Sequence, residues 1–335
     1  MTKSRYVVLG AGGVGGVVAG FLAAAGEDVL LVARGEHGTK IRGDGLLVGT
    51  PRASFRAHPQ VVGSIAEWEP QTHDLLLLAV KSQDSSALLA ELARTSIGES
   101  SVGIRIPLFC FQNGLANELA ALRYFARVHG VCVGVPGVYL QAGRVDAHGH
   151  PVPGVLETGR YPRGSDDSDA QLVAALTRSG FRAYVTDEIV SWKAAKLIGN
   201  LRNAIDALFP AERGTEAVRQ LAEAARREAR SCFAAASISE VEPSLLADHR
   251  HGFSEEPVDG IARGGGSTWQ SVARGLSSVE TDYLNGEIAL LGRLHSIATP
   301  VNVALQEQMG KLMAAGRRDG ADTAADLLAS LARKP

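Results

Sequence analysis

The sequence contains few cysteines, and their placement argues against a disulfide framework. The 3 cysteines, Cys110, Cys132 and Cys232, are odd in number and lie far apart, without the CxxC spacing of a metal or redox pair. We therefore expect reduced thiols in the core and no metal centre.

Long apolar runs and blocks of like charge are also missing. The polar N-terminus leads into the short run Tyr6–Leu9 and then into glycines, and this run is too brief for the core of a signal peptide. No apolar run approaches the roughly 20 residues of a membrane span. The 34 basic and 36 acidic side chains are interspersed and give a net charge of −2. We expect a cytoplasmic protein that binds neither nucleic acid nor membranes.

The pattern of the chain predicts two domains of different character. In the first half, Ala-rich helical stretches alternate with apolar runs that we interpret as buried parallel strands: Tyr6–Leu9, Val29–Val32, Leu75–Val80, Leu108–Phe111 and Val131–Val133. This alternation predicts a doubly wound, mostly parallel α/β domain over residues 1–187, with Gly143–Pro162 as a closing loop or hairpin. After about Glu188 apolar residues recur at helical spacing, which predicts an all-α domain over residues 188–335.

A glycine-rich turn follows the first predicted strand and opens a helix. It fits the GxGxxG pattern of a Rossmann dinucleotide site, in which the first glycine permits the tight turn, the second admits the pyrophosphate and the third allows close helix packing. The helix N-terminus attracts the anion. The predicted cofactor-binding residues of this turn are Gly10, Ala11, Gly12, Gly13, Val14 and Gly15.

The end of the second strand indicates which dinucleotide binds. Arg34 stands where an NAD-specific fold places an acidic residue for the ribose 2′-hydroxyl, and a cation there suits a 2′-phosphate. This favours NADP(H). Two alternatives remain open, a solvated Arg34 and a Glu36 that turns inward.

Two polar residues follow further strands at the edge of the sheet where ligands bind. Lys81 and Asn113 come just after the third and fourth predicted strands, so we expect both to point toward the cofactor crevice. The alternative for each is that it is an ordinary turn residue without a role in binding.

A polar ladder marks the first helix of the second domain. Ile189, Trp192, Lys196, Asn200 and Asn203 are spaced by 3, 4, 4 and 3 residues and share one face. Reduction of a carbonyl by hydride requires an acid that protonates the oxygen, and a partly desolvated lysine with a lowered pKa suits this role. Lys196 is the candidate acid; a solvated face is the alternative.

Two later features complete the candidate site. Glu280 lies on a later helix, where it pairs with Lys196 or the cofactor, or is only a surface carboxylate. Ser267 and Thr268 precede Gln270 in a capping-box pattern beside a glycine-rich loop. A helix start with hydroxyl groups also suits the carboxylate of a 2-oxo acid, although a purely structural cap fits equally well.

Five stretches, in the same order, resemble the ketopantoate reductase (2-dehydropantoate 2-reductase) family: Leu9–Gly16, Val80–Lys81, Gln112–Gly114, Trp192–Asn200 and Glu280–Gly286. The resemblance implies a Rossmann domain followed by an all-helical domain, NADPH as cofactor, a homodimer, and reduction of a 2-oxo acid to a 2-hydroxy acid such as pantoate in pantothenate biosynthesis. It makes Lys196 the general acid, Asn200, Ser267 and Thr268 substrate contacts, and Lys81, Asn113 and Glu280 parts of the cleft.

The chain departs from the family pattern at two positions. Ala204 replaces a second asparagine one turn beyond Asn200, and Thr268 replaces the usual serine. Asn203 is a neighbouring substitute, but its side chain points about 100° away from that of Ala204. Ketopantoate or a related branched 2-oxo acid is the expected substrate. Two alternatives remain, a dehydrogenase of another hydroxy or amino acid and an inactive dinucleotide-binding sensor.

Overall fold

The computed structural model describes residues 3–264, 279–315 and 323–333. The chain divides into two compact units. The first comprises Met1–Lys193 and Val241–Arg263, and the second comprises Ala194–Glu240 and Gly264–Pro335. Among the described residues, no helix combines the length and the apolar character that crossing a membrane requires.

The first unit is built on strands. In chain order they are β1 (Arg5–Leu9), β2 (Asp28–Val32), β3 (Leu46–Gly49), β4 (Phe55–Ala57), β5 (Gln60–Val62), β6 (Asp74–Leu78), β7 (Ser96–Ile97), β8 (Ser100–Ser101), β9 (Leu108–Cys110), β10 (Val128–Gly134), β11 (Gly137–Val138), β12 (Arg144–Ala147), β13 (Gly149–His150), β14 (Val155–Arg160), β15 (Arg182–Val185) and β16 (Ser254–Glu255).

The helices, also in chain order, are α1 (Gly13–Ala24), α2 (Gly35–Asp44), α3 (Ser85–Arg94), α4 (Val102–Arg105), α5 (Ala116–Ala121), α6 (Asp167–Arg178), α7 (Ile189–Asn200), α8 (Arg202–Leu208), α9 (Glu216–Ala235), α10 (Pro243–His249), α11 (Asn285–His295), α12 (Pro300–Ala315) and α13 (Ala324–Ala332). Short 3-10 turns cover Ile65–Glu67, Ser82–Asp84, Pro210–Glu212 and Glu280–Tyr283.

The main sheet confirms the predicted doubly wound α/β fold. Its strand order is β15-β14-β10-β9-β6-β1-β2-β5, and only the β10–β14 pair is antiparallel among its neighbours. Alternate residues of β1 belong to two different core clusters. Tyr6 and Val8 pack in one cluster, and Val7 and Leu9 pack in the other, so both faces of the strand are buried. The chain leaves β1 toward β2 on one side and later returns to its other side with β6. This reversal opens a crevice at the carboxyl ends of β1 and β6.

Helix α1 lies against a second sheet that the sequence pattern did not predict. This small sheet has the order β11-β12-β3-β4. A Cβ added at Gly13 would lie 2.6 Å from the Gly137 carbonyl oxygen, one at Gly16 2.7 Å from Val145, and one at Gly20 2.6 Å from Val48. Side chains at these positions of α1 would separate the helix from the small sheet, so the glycines permit the close packing.

The second unit is helical in its described residues and contains a buried polar network. The Asn285 side-chain amide donates to the Leu201 carbonyl (3.3 Å) and to Oδ1 of Asn302 (3.0 Å). Asn302 in turn donates to Glu228 Oε2 (2.7 Å), and this carboxylate also accepts from the first turn of α12. Burial raises the pKa of Glu228 despite these hydrogen bonds, which act in the opposite direction.

The observed division of the chain differs from the predicted boundary between residues 187 and 188. Residues 241–263 belong to the first unit, because β16 pairs with β13 and the Arg182 guanidinium donates to the carbonyls of His249 and His251. Helix α7 is also shared, since the first unit ends at Lys193. The predicted loop Gly143–Pro162 contains β12, β13 and β14, and β14 belongs to the main sheet.

Candidate active site

The glycine turn has the geometry that a bound pyrophosphate requires. Gly10 adopts a φ of 106°, which favours glycine, and a Cβ there would lie 3.0 Å from Val80 atoms. A Cβ on Gly15 would lie 2.0 Å from the Gly10 carbonyl oxygen, whereas a Cβ on Gly12 would meet nothing within 4 Å. Gly10 and Gly15 therefore serve the turn and its packing, and Gly12 leaves open space above the backbone.

The N-terminus of α1 fits an anionic group. Gly12 is the N-cap residue, it makes no side-chain capping bond, and the first turn carries no acidic residue. The first N–H groups of a helix lack partners within the helix and carry partial positive charge. The turn and the helix start together fit the pyrophosphate of a dinucleotide.

A cavity of about 410 Å³ lies over this turn, at the carboxyl ends of the central strands. Its lining combines the glycine turn with apolar and polar residues of the first unit, among them Gly10, Ala11, Gly12, Arg34, His37 and Tyr139. Arg34 is the N-cap residue of α2 and is exposed. Glu36 does not turn inward but forms a 2.9 Å surface ion pair with Lys40. The guanidinium is therefore the charged group that α2 offers to the cavity.

His37 joins the glycine turn to a distant loop, a contact that no pattern in the sequence indicates. Its Nδ1 accepts a hydrogen bond from the Gly143 N–H (2.8 Å), and its Nε2 lies 2.9 Å from the Ala11 carbonyl oxygen. Because a backbone N–H only donates, Nδ1 is unprotonated and Nε2 carries the proton donated to Ala11. A neutral His37 thus fixes the second residue of the glycine turn.

Gly13, Val14, Lys81 and Asn113 lie near this region but outside the lining of the cavity. Gly13 packs on β11, as described above, and Val14 packs against the core. Lys81 is partly buried and precedes the 3-10 turn Ser82–Asp84. The partly buried Asn113 follows β9. Both polar residues thus lie after carboxyl ends of parallel strands, and their orientation toward the cofactor crevice stays a prediction.

The most buried lysine of the described part of α7 is Lys193, which sequence reasoning missed. Its Nζ donates to the Gln112 carbonyl oxygen (2.9 Å) and to Oε1 of Glu118 on α5. Burial raises the pKa of the neighbouring Cys110 thiol, and the Glu118 carboxylate adds to this rise. Cys110, like Cys132 and Cys232, is a free, buried cysteine. The sequence shows a second lysine on α7, at position 193, but it does not show the partners of that lysine.

The other predicted site residues lie in the second unit. Lys196 is partly buried on α7, and Asn200 ends that helix with its Nδ2 buried and unpaired among the described residues. Asn203 is partly buried on the separate helix α8, because the chain turns at Leu201. Glu280 begins a 3-10 turn and is partly buried. Ser267 and Thr268 lie outside the described residues.

One cluster in the first unit has metal-ligating atoms, and hydrogen bonds and ion pairs within the protein engage its carboxylates. His129, Asp166 and Asp169 bring such atoms within 4.8 Å of one another. Asp169 accepts from Thr158 and completes the capping box of α6, and Arg160 pairs with Asp166. Burial alone would raise the pKa of Asp166, yet His129, the Ser168 hydrogen bonds and Arg160 together lower it.

The glycine turn, the cavity and the helical second unit define a dinucleotide-binding oxidoreductase of two domains. Residues 6–162 match the family model described as ketopantoate reductase PanE/ApbA, and residues 188–313 match the model of its C-terminal part. The chain belongs to the ketopantoate reductase family, which confirms the resemblance seen in the motifs. Members of this family are oxidoreductases that act on a CH–OH group and use a nicotinamide dinucleotide.

Individual relatives support the same family at modest identity. The 2-dehydropantoate 2-reductase of Pyrococcus horikoshii is 29% identical over 63% of this chain and 65% of that protein, and that of Pyrococcus abyssi is 26% identical over 90% and 95%. The crystal structure of a PanE/ApbA family ketopantoate reductase from Ralstonia eutropha JMP134 has a TM-score of 0.75 at 25% identity, covering 94% of this chain and 99% of that chain. D-mandelate dehydrogenase with NADH and anilino(oxo)acetate shares the fold, with a TM-score of 0.77 at 20% identity over 94% of this chain and 99% of that chain.

Alanine at Gly12 is expected to weaken cofactor binding, whereas alanine at Gly15 is expected to lower the stability of the fold. Gly12 has a φ of −70°, which alanine tolerates, so Gly12→Ala stays folded but obstructs the approach of the pyrophosphate. We expect its NADPH dissociation constant to rise about tenfold or more, since a hydrogen bond to a charged group is worth about 1.5–3 kcal/mol. Gly15→Ala forces a backbone clash and lowers the free energy of unfolding by about 1–3 kcal/mol.

Urea unfolding and titration of NADPH fluorescence measure the two effects separately. Unchanged NADPH affinity in a folded Gly12→Ala variant would show that the pyrophosphate does not contact this turn.

Proposed function

We propose that the protein is an NADPH-dependent reductase that converts a 2-oxo acid into a 2-hydroxy acid. The observation that carries this proposal is the cavity in which Arg34 stands beside the uncapped glycine turn. The turn suits a pyrophosphate, and the guanidinium suits a 2′-phosphate through charge-assisted hydrogen bonds. Family membership supplies the reaction class.

The chemical step joins a hydride and a proton to the two ends of the carbonyl group. When bound, the nicotinamide supplies a hydride to the carbonyl carbon of the substrate. The Lys196 ammonium donates its proton to the carbonyl oxygen, so that the developing alkoxide becomes a hydroxyl group. Lys196 is partly buried, which strengthens its interaction with a developing negative charge.

The remaining predicted residues hold the substrate and cofactor in this proposal. Asn200 has a buried side-chain N–H donor without a described partner, which supports a hydrogen bond to the substrate. Ser267 and Thr268 bind the carboxylate and Asn203 contacts the substrate. Lys81 and Asn113 are assigned to the cofactor, and Glu280 to the cofactor or to Lys196.

The substrate is 2-dehydropantoate or a related branched 2-oxo acid. The curated relatives named above support 2-dehydropantoate. Ala204 is 1% exposed and has no hydrogen-bonding side chain, so it gives the distal hydroxyl of that substrate no partner. A branched 2-oxo acid without a distal hydroxyl therefore competes with 2-dehydropantoate as the preferred substrate.

A screen of 2-oxo acids with NADPH and NADH tests the proposal. We expect loss of nicotinamide absorbance with 2-dehydropantoate or with 2-oxoisovalerate, and a higher kcat/KM with NADPH. Binding of NADPH without reduction of any 2-oxo acid would favour a dinucleotide-binding sensor. Oxidation of a hydroxy acid or an amino acid, without reduction of any 2-oxo acid, would favour a dehydrogenase that works in the oxidative direction.

A further inference from the structure

Lys193 is the charged centre of a buried contact between three segments of the first unit. The side chain of Lys193 is 4% exposed and that of Glu118 is 1% exposed. The ammonium group donates to the Glu118 carboxylate on α5 and to the carbonyl oxygen of Gln112. A cation with three N–H donors thereby binds a helix and a loop at once.

The partners of Lys193 lie next to residues of the proposed reaction. Gln112 immediately precedes Asn113, so the accepting carbonyl belongs to the turn that presents Asn113. Lys193 itself is on α7, three residues before Lys196. Residues three apart on a helix are neighbours one turn away, so a fixed Lys193 restricts the position and rotation of the helical turn that carries Lys196.

Stability alone is a poor explanation for this ion pair. Removing two charges from water costs much of what their attraction returns, and apolar pairs often stabilise a core equally well. The pair is not fully compensated, because Glu118 Oε2 is buried without a hydrogen-bond partner among the described residues. Both polar atoms of the Gln112 side chain are in the same situation. What the charges supply is a defined geometry.

We infer that Lys193 is a positioning residue, which holds the Asn113 turn and the turn of α7 that leads to Lys196 through its bonds to Gln112 and Glu118. This inference rests on the proposed function of Lys196 and Asn113. A misplacement of about 1 Å in a catalytic group lowers the rate by up to about 100-fold, so loss of Lys193 has a kinetic effect beyond its effect on folding.

The double variant Lys193→Met, Glu118→Met separates position from stability. It removes both charges together and keeps similar side-chain volumes, so we expect a melting temperature near the wild-type value. We expect kcat for the 2-oxo acid to fall about 10- to 100-fold. Binding of 2′,5′-ADP, which occupies only the nucleotide half of the site, is expected to stay unchanged.

A second variant gives the reverse result. Glu118→Gln keeps a side-chain oxygen that accepts from Lys193 and leaves the bond to Gln112 in place, but the lysine charge loses its counter-ion. We therefore expect a lower melting temperature with kcat within about threefold of wild type, because position is retained while charge compensation is lost. Arg5→Met is the matched control, since Arg5 and Asp74 form a buried ion pair at the amino ends of β1 and β6. It is expected to lower the melting temperature only.

The outcomes distinguish this inference from the proposed function. A wild-type protein that reduces no 2-oxo acid, or a Lys196→Ala variant with normal turnover, overturns the proposed function and the positioning role with it. Wild-type kcat in the stable double variant overturns the positioning role alone. The role is also overturned if kcat falls in proportion to the fall in melting temperature, and by the same proportion in Arg5→Met and in the Lys193 variants. If the double variant does not fold, Lys193→Met is compared with an equally destabilised Arg5→Met, and a kcat no lower than that of Arg5→Met decides against the role.

Discussion

Turnover is expected to fall about 10²–10⁴-fold when Lys196 is replaced by alanine, because general acid catalysis contributes about this much to proton-transfer steps. The affinity for NADPH is expected to stay near the wild-type value, since the glycine turn and Arg34 belong to the other unit. Steady-state kinetics with saturating NADPH, together with a fluorescence titration of NADPH, measures the two quantities independently.

The pH dependence gives a second test of the same role. Only the protonated ammonium group is an acid, so the reductive kcat falls as the pH rises through the pKa of Lys196 in the enzyme–substrate complex. This basic limb is expected to be absent in Lys196→Ala. A limb that persists unchanged in the variant would assign the proton to another group.

A structural role for Lys196 predicts a different result, namely a loss of stability with little loss of turnover. Thermal melting therefore accompanies the kinetics. Lys311→Ala is the matched control, because Lys311 is an exposed lysine of α12 in the same unit. A folded Lys196→Ala variant with the melting temperature and turnover of the Lys311→Ala control would remove Lys196 from the mechanism.

The sequence predicted the part of the fold that local patterns encode. The apolar runs at β1, β2 and β6 read as strands because each is buried on both sides and contains no competing helical period. The turn Gly10–Gly15 was recognisable because strand, glycines and helix are contiguous in the chain.

Features made by residues far apart in the chain were not predictable in this way. The small sheet pairs β3 with β12, which are separated by about a hundred residues, and neither strand is long enough to show a clear period. Residues 241–263 return to the first unit through a two-residue strand and carbonyl contacts, which leave no pattern in the sequence.

The candidate site shows the same limit at the level of single side chains. Helical spacing assigned Lys196 to a face of α7, but it could not show that Lys193 is more buried, because this depends on Glu118 and the Gln112 carbonyl. For Arg34, in contrast, the sequence was sufficient to predict its location. Its position after β2 was enough to predict a place at the cavity, since strand ends determine that edge of the sheet.

Replacement of Arg34 by aspartate is expected to reverse the cofactor preference. The wild-type guanidinium lines the cavity, and a charge-assisted hydrogen bond to a 2′-phosphate is worth about 1.5–3 kcal/mol, which corresponds to about 10- to 100-fold in affinity. The new carboxylate repels a 2′-phosphate and accepts a hydrogen bond from the ribose hydroxyl of NADH. We expect kcat/KM to fall with NADPH and to rise with NADH, while the KM for the 2-oxo acid changes little.

Arg52→Asp separates this local effect from a general change in charge. Arg52 is an exposed residue between β3 and β4, so its replacement changes the net charge by the same amount in the same unit without altering the lining of the cavity. Exposed charges farther than about 10 Å from the site are largely screened at 0.1 M salt, and the control is expected to keep the wild-type ratio of kcat/KM values. Two results would show that Arg34 does not contact the 2′-phosphate. One is a wild-type protein with equal kcat/KM values for NADPH and NADH, and the other is the same ratio of these values in Arg34→Asp and Arg52→Asp.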